Sequence, residues 1–350
     1  MTATEWVASL SPWPEEFGLE RMLELIERLG HPERTYPSVH VVGSNGKTTA
    51  TRTIAALLHA EGLHVGAYTS PHVSGWHERL DTDPEGFERA VECVRPHSEA
   101  LGATQFEVLT AAALAEFAEQ RVDAAVIEAG LGGRLDATNV VHAPLVHLTN
   151  VVLEHTDVLG ETREAIAREK LAVADAGAVV VLGEPEWVRL LPQHEVRIGG
   201  ARESAEAFLG RAIEHEVEVH VPGRLEWRSE GELWDGAHTT EAADWLLERL
   251  PEREWVIVSS ILGDKRIDEL LARFSRAGNV FVATRSSNPR ALPAGELARR
   301  ARAHFARVEV EGDPVLALEL GRRLGPVLVT GSLYLLADLA TVSRPSPTHA

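Results

Sequence analysis

A single cysteine, Cys93, among 350 residues rules out an internal disulfide framework and suits a reducing compartment. It lies in the helix-like run Gly86–Val94, where a semi-buried structural thiol is the expectation rather than a nucleophile. Basic residues are scarce as well: 34 Lys and Arg face 53 Asp and Glu, a formal net charge of −19. Nucleic-acid and anionic-membrane surfaces need a positive field, so this balance argues against both as partners. It does not exclude ATP, because a phosphate site is a local arrangement of donors. No uninterrupted apolar run approaches the length of a bilayer span. The opening MTATEWVASLSPWPEEF carries acids and two prolines in place of the apolar core of a secretion signal. The expectation is a soluble cytoplasmic protein. Fixed-period repeats and low-complexity blocks are also missing. What remains is ordinary for a folded protein, with 44% hydrophobic and 25% charged residues, and the length favours two domains.

The most informative stretch present is Ser38–Thr49, SVHVVGSNGKTT. It reads as a buried strand, a tight loop Gly43-Ser44-Asn45-Gly46, and a helix opening at Lys47-Thr48-Thr49. Such a loop turns backbone N–H groups toward phosphate oxygens, and the helix N-terminus adds its positive end. Lys47 reaches β- and γ-phosphates, and a Thr hydroxyl behind it suits Mg²⁺. The alternative is a strand–turn–helix in which Asn-Gly merely reverses the chain. The context favours phosphate. A helix over Thr49–Ala60, a stop at Gly62 and a strand over Val65–Thr69 complete a βαβ unit, and Ser70 falls on the carboxyl edge where ligands of open α/β sheets gather.

Alternation of strands and helices continues. An amphipathic helix covers Leu19–Leu29 and another Phe106–Gln120. Strands are expected at Ala124–Ile127, Leu145–Leu148 and Ala178–Leu182, with a helix from about Glu161 to Ala174. The pattern restarts after Pro222-Gly223-Arg224, with strands at Leu233–Trp234, Trp255–Ser259, Val280–Thr284 and Val327–Thr330 and helices at Thr240–Leu250, Ile267–Phe274 and Glu296–Ala306. The fold class is therefore α/β, a P-loop-type mainly parallel sheet domain over 1–221 followed by a smaller Rossmann-like α/β domain over 222–342. The Pro- and Ser-bearing tail 343–350 is expected to fray.

Several residues sit where chemistry would need them. Glu128 ends its strand, as a metal ligand or as a loop carboxylate capping a neighbouring helix. His155 follows the strand Leu145–Leu148 on the same edge. Lys170 reads as mid-helix, either a surface lysine or one facing the metal site with a depressed pKa, which as a neutral amine takes up CO₂ to give an anionic carbamate. In Trp234-Asp235-Gly236-Ala237-His238, Asp235 and His238 end a strand and open a helix; Asp235 is either a ligand of ribose, phosphate or metal-bound oxygen, or a residue of the helix cap.

Together these segments resemble the folylpolyglutamate synthase/dihydrofolate synthase family, a branch of the Mur ligases. YTSPH, TQFEVLTAAAL, VIEAGLGGRLDATN, HTDVLG, IAREK, PGRLE, DGAH, LGDK and PRALP occur in the family's order, from about Gly18 to Pro293. The resemblance implies an ATP-dependent ligase, in which a substrate carboxylate takes the γ-phosphate of ATP and the resulting acyl phosphate is captured by the amino group of L-glutamate. Gly43–Thr49 with Arg224, Asp235 and His238 would hold ATP. Ser70, Glu128, His155 and Lys170, the last as a carbamate, would hold Mg²⁺, with Lys47, Lys170 and His155 catalytic. Arg79, Thr104, Phe106 and Asp136 would face a folate-type acid. Closure at Pro222–Arg224 would keep water from the acyl phosphate, and a monomer is implied.

The chain departs from the family pattern at named positions. Thr48-Thr49 follows the Mur branch, His77-Glu78-Arg79 replaces Asn-Glu-Arg, Glu154-His155 replaces Asp-His, and DGAHTT replaces DGAHNP. Three rival readings share parts of the pattern. A Mur-type ligase acting on a UDP-linked peptidoglycan precursor would use the same ATP residues, but GRLDATN and PRALP match the folate branch. A P-loop kinase or ATPase would leave Lys170 and the second α/β domain without a role. A non-catalytic ATP-binding derivative would not require Lys47, Glu128, His155 and Lys170 all to be present.

Overall fold

Ser38–Val42 (β1) is buried at all five positions in the computed structural model, as a strand covered on both faces must be. The structure describes residues 1–12, 14 and 18–342. The chain forms two compact units, Met1–Ser70 with Trp76–Val219, and Pro71–Gly75 with His220–Ala350.

In the first unit, α1 (Ala3–Ser9) and α2 (Glu20–Arg28) precede β1, followed by α3 (Lys47–Ala60), β2 (Val65–Tyr68), α4 (Pro84–Leu101), α5 (Gln105–Gln120), β3 (Ala124–Glu128) and β4 (Leu145–Leu148). Then come α6 (Thr156–Leu159), α7 (Arg163–Leu171), β5 (Val179–Leu182), β6 (Glu195–Ile198) and α8 (Ala201–Leu209). The strands form one sheet in the order β2-β3-β1-β4-β5-β6, every pair parallel. Period-two alternation splits β3 between two cores. Ala125 and Ile127 pack with Leu109, Leu114 and Phe117 of α5, while Ala124 and Val126 pack with Ile54 and Leu58 of α3. Because both faces are mainly apolar, most polar groups of the sheet gather at the strand ends.

The second unit holds β7 (Glu226–Ser229), β8 (Glu232–Trp234), α9 (Thr240–Leu247), β9 (Val256–Ser259), α10 (Ile267–Phe274), β10 (Val280–Ala283), α11 (Ala294–Ala301), β11 (Arg307–Val310), α12 (Pro314–Leu324), β12 (Val327–Thr330) and α13 (Leu333–Val342). Its sheet runs β11-β10-β9-β12-β8-β7, parallel except for the antiparallel pair β7 and β8. Val73 packs into the core of this unit with Trp234, Leu333 and Leu336.

Several sequence expectations change. Lys170 lies in the last turn of α7 rather than mid-helix, because the helix closes at Leu171. Cys93 is exposed, on the outer face of α4, and not semi-buried. The periodic reading passed over α1, α6, α8, α12, α13 and the strands β6, β7 and β11. The tail expected to fray, 343–350, lies outside the described residues.

Leu114 is fully buried in α5. Leu114→Ala is expected to lower the stability of the first unit by about 3 kcal/mol through lost burial and a residual cavity, read as an earlier urea midpoint in tryptophan fluorescence.

Candidate active site

The loop after β1 is shaped by what surrounds it. Gly43 has φ +144°, and a Cβ there would run into the side chain of Thr149, so only glycine fits. Two residues at the end of β4 pin the next turn. Ser44 N–H donates to the Asn150 carbonyl at 2.9 Å, Asn45 N–H to Asn150 Oδ1 at 2.9 Å, and Thr149 Oγ1 to the Asn45 carbonyl at 2.8 Å. Gly46, in the left-handed region, then opens α3. Lys47 Nζ folds back over the loop to the carbonyls of Gly43 (3.0 Å) and Ser44 (3.3 Å). Thr49 is exposed on the same first turn.

Thr48 points the other way. Its hydroxyl donates to Glu128 Oε1 at 3.0 Å, and Ser70 N–H donates to Glu128 Oε2 at 3.0 Å. Glu128 is only 2% exposed at the carboxyl end of β3. The structure thus brings together Thr48, Ser70 and Glu128, an oxygen-rich group of the kind that suits a hard divalent cation. Among the described residues, no three His, Cys, Asp or Glu side chains gather to hold a metal by themselves. His155 is exposed, at the head of α6 and directly after Glu154.

Lys170 is 1% exposed, so it is not a surface lysine. Its Nζ donates to the Gly43 carbonyl at 2.9 Å and to Glu154 Oε1 at 3.1 Å. Two ammoniums, Lys47 and Lys170, therefore share one carbonyl oxygen. Burial first, and the Lys47 charge second, bring the pKa of Lys170 down to about 8. Burial alone would raise Glu154, but the Lys170 and Lys47 charges and the Ser44 hydroxyl outweigh it and hold that carboxyl below its ordinary value. Glu154 stood out in the sequence only as a departure from Asp; its pairing with Lys170 had no local signal.

The segments expected to face an acid substrate share one neighbourhood. Thr104 caps α5 and exchanges hydrogen bonds with Glu107, which Arg21 clamps through two contacts of 3.0 and 2.8 Å. The ring of Phe106 lies 6.1 Å from that of Tyr68, centroid to centroid. Asp136 is buried and accepts Leu131 N–H at 2.7 Å and Thr138 N–H at 3.0 Å. Burial raises its pKa, against the pull of its donors, Thr138 and the Leu131 and Gly130 amides. Gly133 passes so close to the Lys170 and Glu169 carbonyls that a Cβ would sit 2.6 and 2.8 Å from them. The loop carrying Asp136 is therefore seated directly on the helix end that carries Lys170. The guanidinium of Arg79 stacks over Trp76 at 5.2 Å.

In the second unit, Asp235 does not cap α9; Thr239 does. Buried at the end of β8, Asp235 accepts the backbone N–H of Leu225 and of Ala237, each at 2.9 Å. Burial raises its pKa and Arg224 opposes the rise. The Gly236 carbonyl, 2.8 Å from His238 Nδ1, can only accept, so Nδ1 carries the proton.

Comparison with known proteins gives the family of the chain. The Mur ligase middle domain matches residues 41–219. A dihydrofolate synthase/folylpolyglutamate synthase of Mycobacterium tuberculosis is 31% identical, over 94% of this chain and 84% of its own. The chain belongs to this family. Two solved relatives extend the likeness to the whole fold. FolC of Escherichia coli, in complex with DHPP and ADP, superposes with a TM-score of 0.84 at 26% identity, over 98% of this chain and 97% of that one. The bifunctional folylpolyglutamate synthase/dihydrofolate synthase of Yersinia pestis, with Mn, AMPPNP and L-glutamate bound, gives 0.83 at 26% identity over 98% of each chain.

The lysine chemistry has a measurable sign. The folded chain releases the Lys170 proton near pH 8, the unfolded chain near 10.5, so the unfolded state binds more protons between those values. Stability should therefore rise from pH 8 toward 10.5 in the parent relative to Lys170→Met, by at most about 3 kcal/mol. Paired thermal melts across that range check it.

Proposed function

We propose that this chain is an ATP-dependent acid–amino-acid ligase that joins L-glutamate to a folate-type carboxylate, dihydropteroate or tetrahydrofolate, and releases ADP and phosphate. The convergence of Lys47, Lys170 and Glu128 on the two sides of the Gly43–Thr49 loop carries this reading. The family relatives bound to ADP with DHPP, and to a nucleotide analogue with L-glutamate, support it.

In this reading the loop from Gly43 to Thr49 binds the triphosphate. Lys47 leaves its resting place on the Gly43 and Ser44 carbonyls to neutralise the terminal phosphates as charge builds during transfer. Thr48, Ser70 and Glu128 fit a divalent cation through oxygen donors, and we assign His155 and the carbamate of Lys170 to the same cation. When bound, magnesium supplies positive charge that offsets the phosphate oxygens. Burial keeps Lys170 within reach of its neutral form near neutral pH, the form that adds CO₂ and gives up a proton. Arg79, Thr104, Phe106 and Asp136 are assigned to the folate-type acid, and Arg224, Asp235 and His238 of the second unit to the nucleotide. No nucleophilic Ser or Cys is needed, because the substrate carboxylate and the glutamate amine are themselves the nucleophiles.

The net charge of −19 supports the absence of nucleic-acid and membrane partners, the single cysteine supports a reducing compartment such as the cytoplasm, and we assign the chain, with its family, to a monomer working on small molecules. Among the described residues, no helix is long and apolar enough to cross a membrane.

The decisive assay supplies purified protein with Mg²⁺, ATP and each pterin acid in turn, with and without L-glutamate, and measures ADP and amide. Glutamate-dependent turnover is expected, with kcat lowered about a thousandfold by Lys47→Ala. Tight ATP binding without glutamate-dependent phosphate release from either acid would sink the proposal. Separately, ¹³C-bicarbonate should give a carbamate carbon resonance in the parent that is missing in Lys170→Ala; a spectrum without it removes the carbamate from the cation site.

A further inference from the structure

Behind Asp136 runs a chain of hydrogen bonds that the phosphate chemistry does not use. His40 lies inside β1, 1% exposed, and its Nε2 is 2.8 Å from Thr138 Oγ1. Thr138 Oγ1 in turn donates to Asp136 Oδ1 at 2.5 Å. The direction of this relay follows from counting protons. Thr138 has one hydroxyl hydrogen, and Asp136 takes it, so toward His40 the oxygen can only accept. His40 must then carry its proton on Nε2. Burial pushes the imidazole down to about 4, so it is neutral and exists as this single tautomer.

The relay has a mechanical consequence. Asp136 Oδ1 accepts both the N–H and the hydroxyl of Thr138, and Oδ2 accepts Leu131 N–H, so the carboxylate closes the loop between 131 and 138 on itself. That loop rests on the Lys170 backbone through Gly133, and Arg134 N–H bonds to the Glu169 carbonyl at 3.1 Å. The far end of the relay is anchored in β1, three residues before Gly43 of the phosphate loop. One strand thus fixes the phosphate loop by its end and the Asp136 loop by a side chain.

We propose that His40 and Thr138 are positioning residues for the acid substrate: through Asp136 they hold the Leu131–Thr138 loop in register with the phosphate loop, so that the acid's carboxylate meets the γ-phosphate. This rests on the function proposed above. Neither residue touches the reacting atoms. Removing the relay unseats the acid while leaving the nucleotide's own contacts, Lys47 and the loop amides, in place.

The test is Thr138→Val, which keeps the shape and removes the hydroxyl. The KM for the pterin acid should rise about tenfold, as expected when a buried carboxylate and imidazole lose their shared partner, while the KM for ATP stays within about twofold. Thr138→Ser should restore the parent value. His40→Gln, whose amide nitrogen keeps a donor toward Thr138, should stay near the parent, and His40→Phe should behave like Thr138→Val. In ¹⁵N-labelled parent protein, the His40 ring should show a neutral imidazole protonated on Nε2. A folded Thr138→Val enzyme with an unchanged KM for the acid overturns the positioning role, as does an equal loss for ATP and acid or an Nδ1-protonated His40. A parent protein that turns over neither acid overturns instead the function on which the role rests.

Discussion

One carbonyl oxygen organises the first unit's chemistry. The Gly43 carbonyl takes hydrogen bonds from both Lys47 and Lys170, two ammoniums that repel each other, one from the first turn of α3 and one from the last turn of α7. Holding two like charges at one acceptor raises the electrostatic potential of the pocket. Glu154 offsets part of that potential. An arriving polyanion would relieve the rest. The site thus carries positive charge in advance of any anion.

The sheet explains why these groups meet at all. With β1 flanked by β3 and β4, the loops after three adjacent parallel strands open side by side: Gly43–Gly46, the segment following Glu128, and Thr149–Asn150. The strands below are mostly apolar on both faces and offer few other places for polar groups. Glu128 and His40 are among the exceptions, as is His147 of β4, which meets the Ser204 hydroxyl at 3.0 Å. Each is polar within or at the end of a buried strand, and each is matched by a hydroxyl, Glu128 by that of Thr48 and His40 by that of Thr138.

Much of this was legible in the sequence. The glycine spacing of GSNGKT marks a tight strand-to-helix loop because a left-handed turn at Gly46 and the close approach of Gly43 to Thr149 leave no choice of residue. The strands at Leu145–Leu148 and Val327–Thr330 and the helix at Ile267–Phe274 have the limits their apolar runs suggested. The strands that escaped notice, β6, β7 and β11, lie at sheet edges, where most of their residues meet solvent and no buried run betrays them. The contacts that escaped join distant positions. Glu154 and Lys170 are 16 residues apart and His40 and Thr138 are 98 apart, so no local spacing encodes them. Lys170 was suspected for its company of motifs; that it is buried, and that burial more than its cationic neighbour lowers its pKa, needed the fold.

The tie between Ser44, Asn45 and Asn150 has a kinetic side. Two amides of the phosphate loop are already engaged with the neighbouring strand's end, and Thr149 fastens the loop again through the Asn45 carbonyl. The conformational entropy of this segment is spent when the chain folds, not when nucleotide arrives. A polyanion bound by the loop, as proposed above, would call for no search among loop shapes. Selection among anions would then fall to the shape of a rigid rim, which a flexible loop that wraps whatever it meets does not provide.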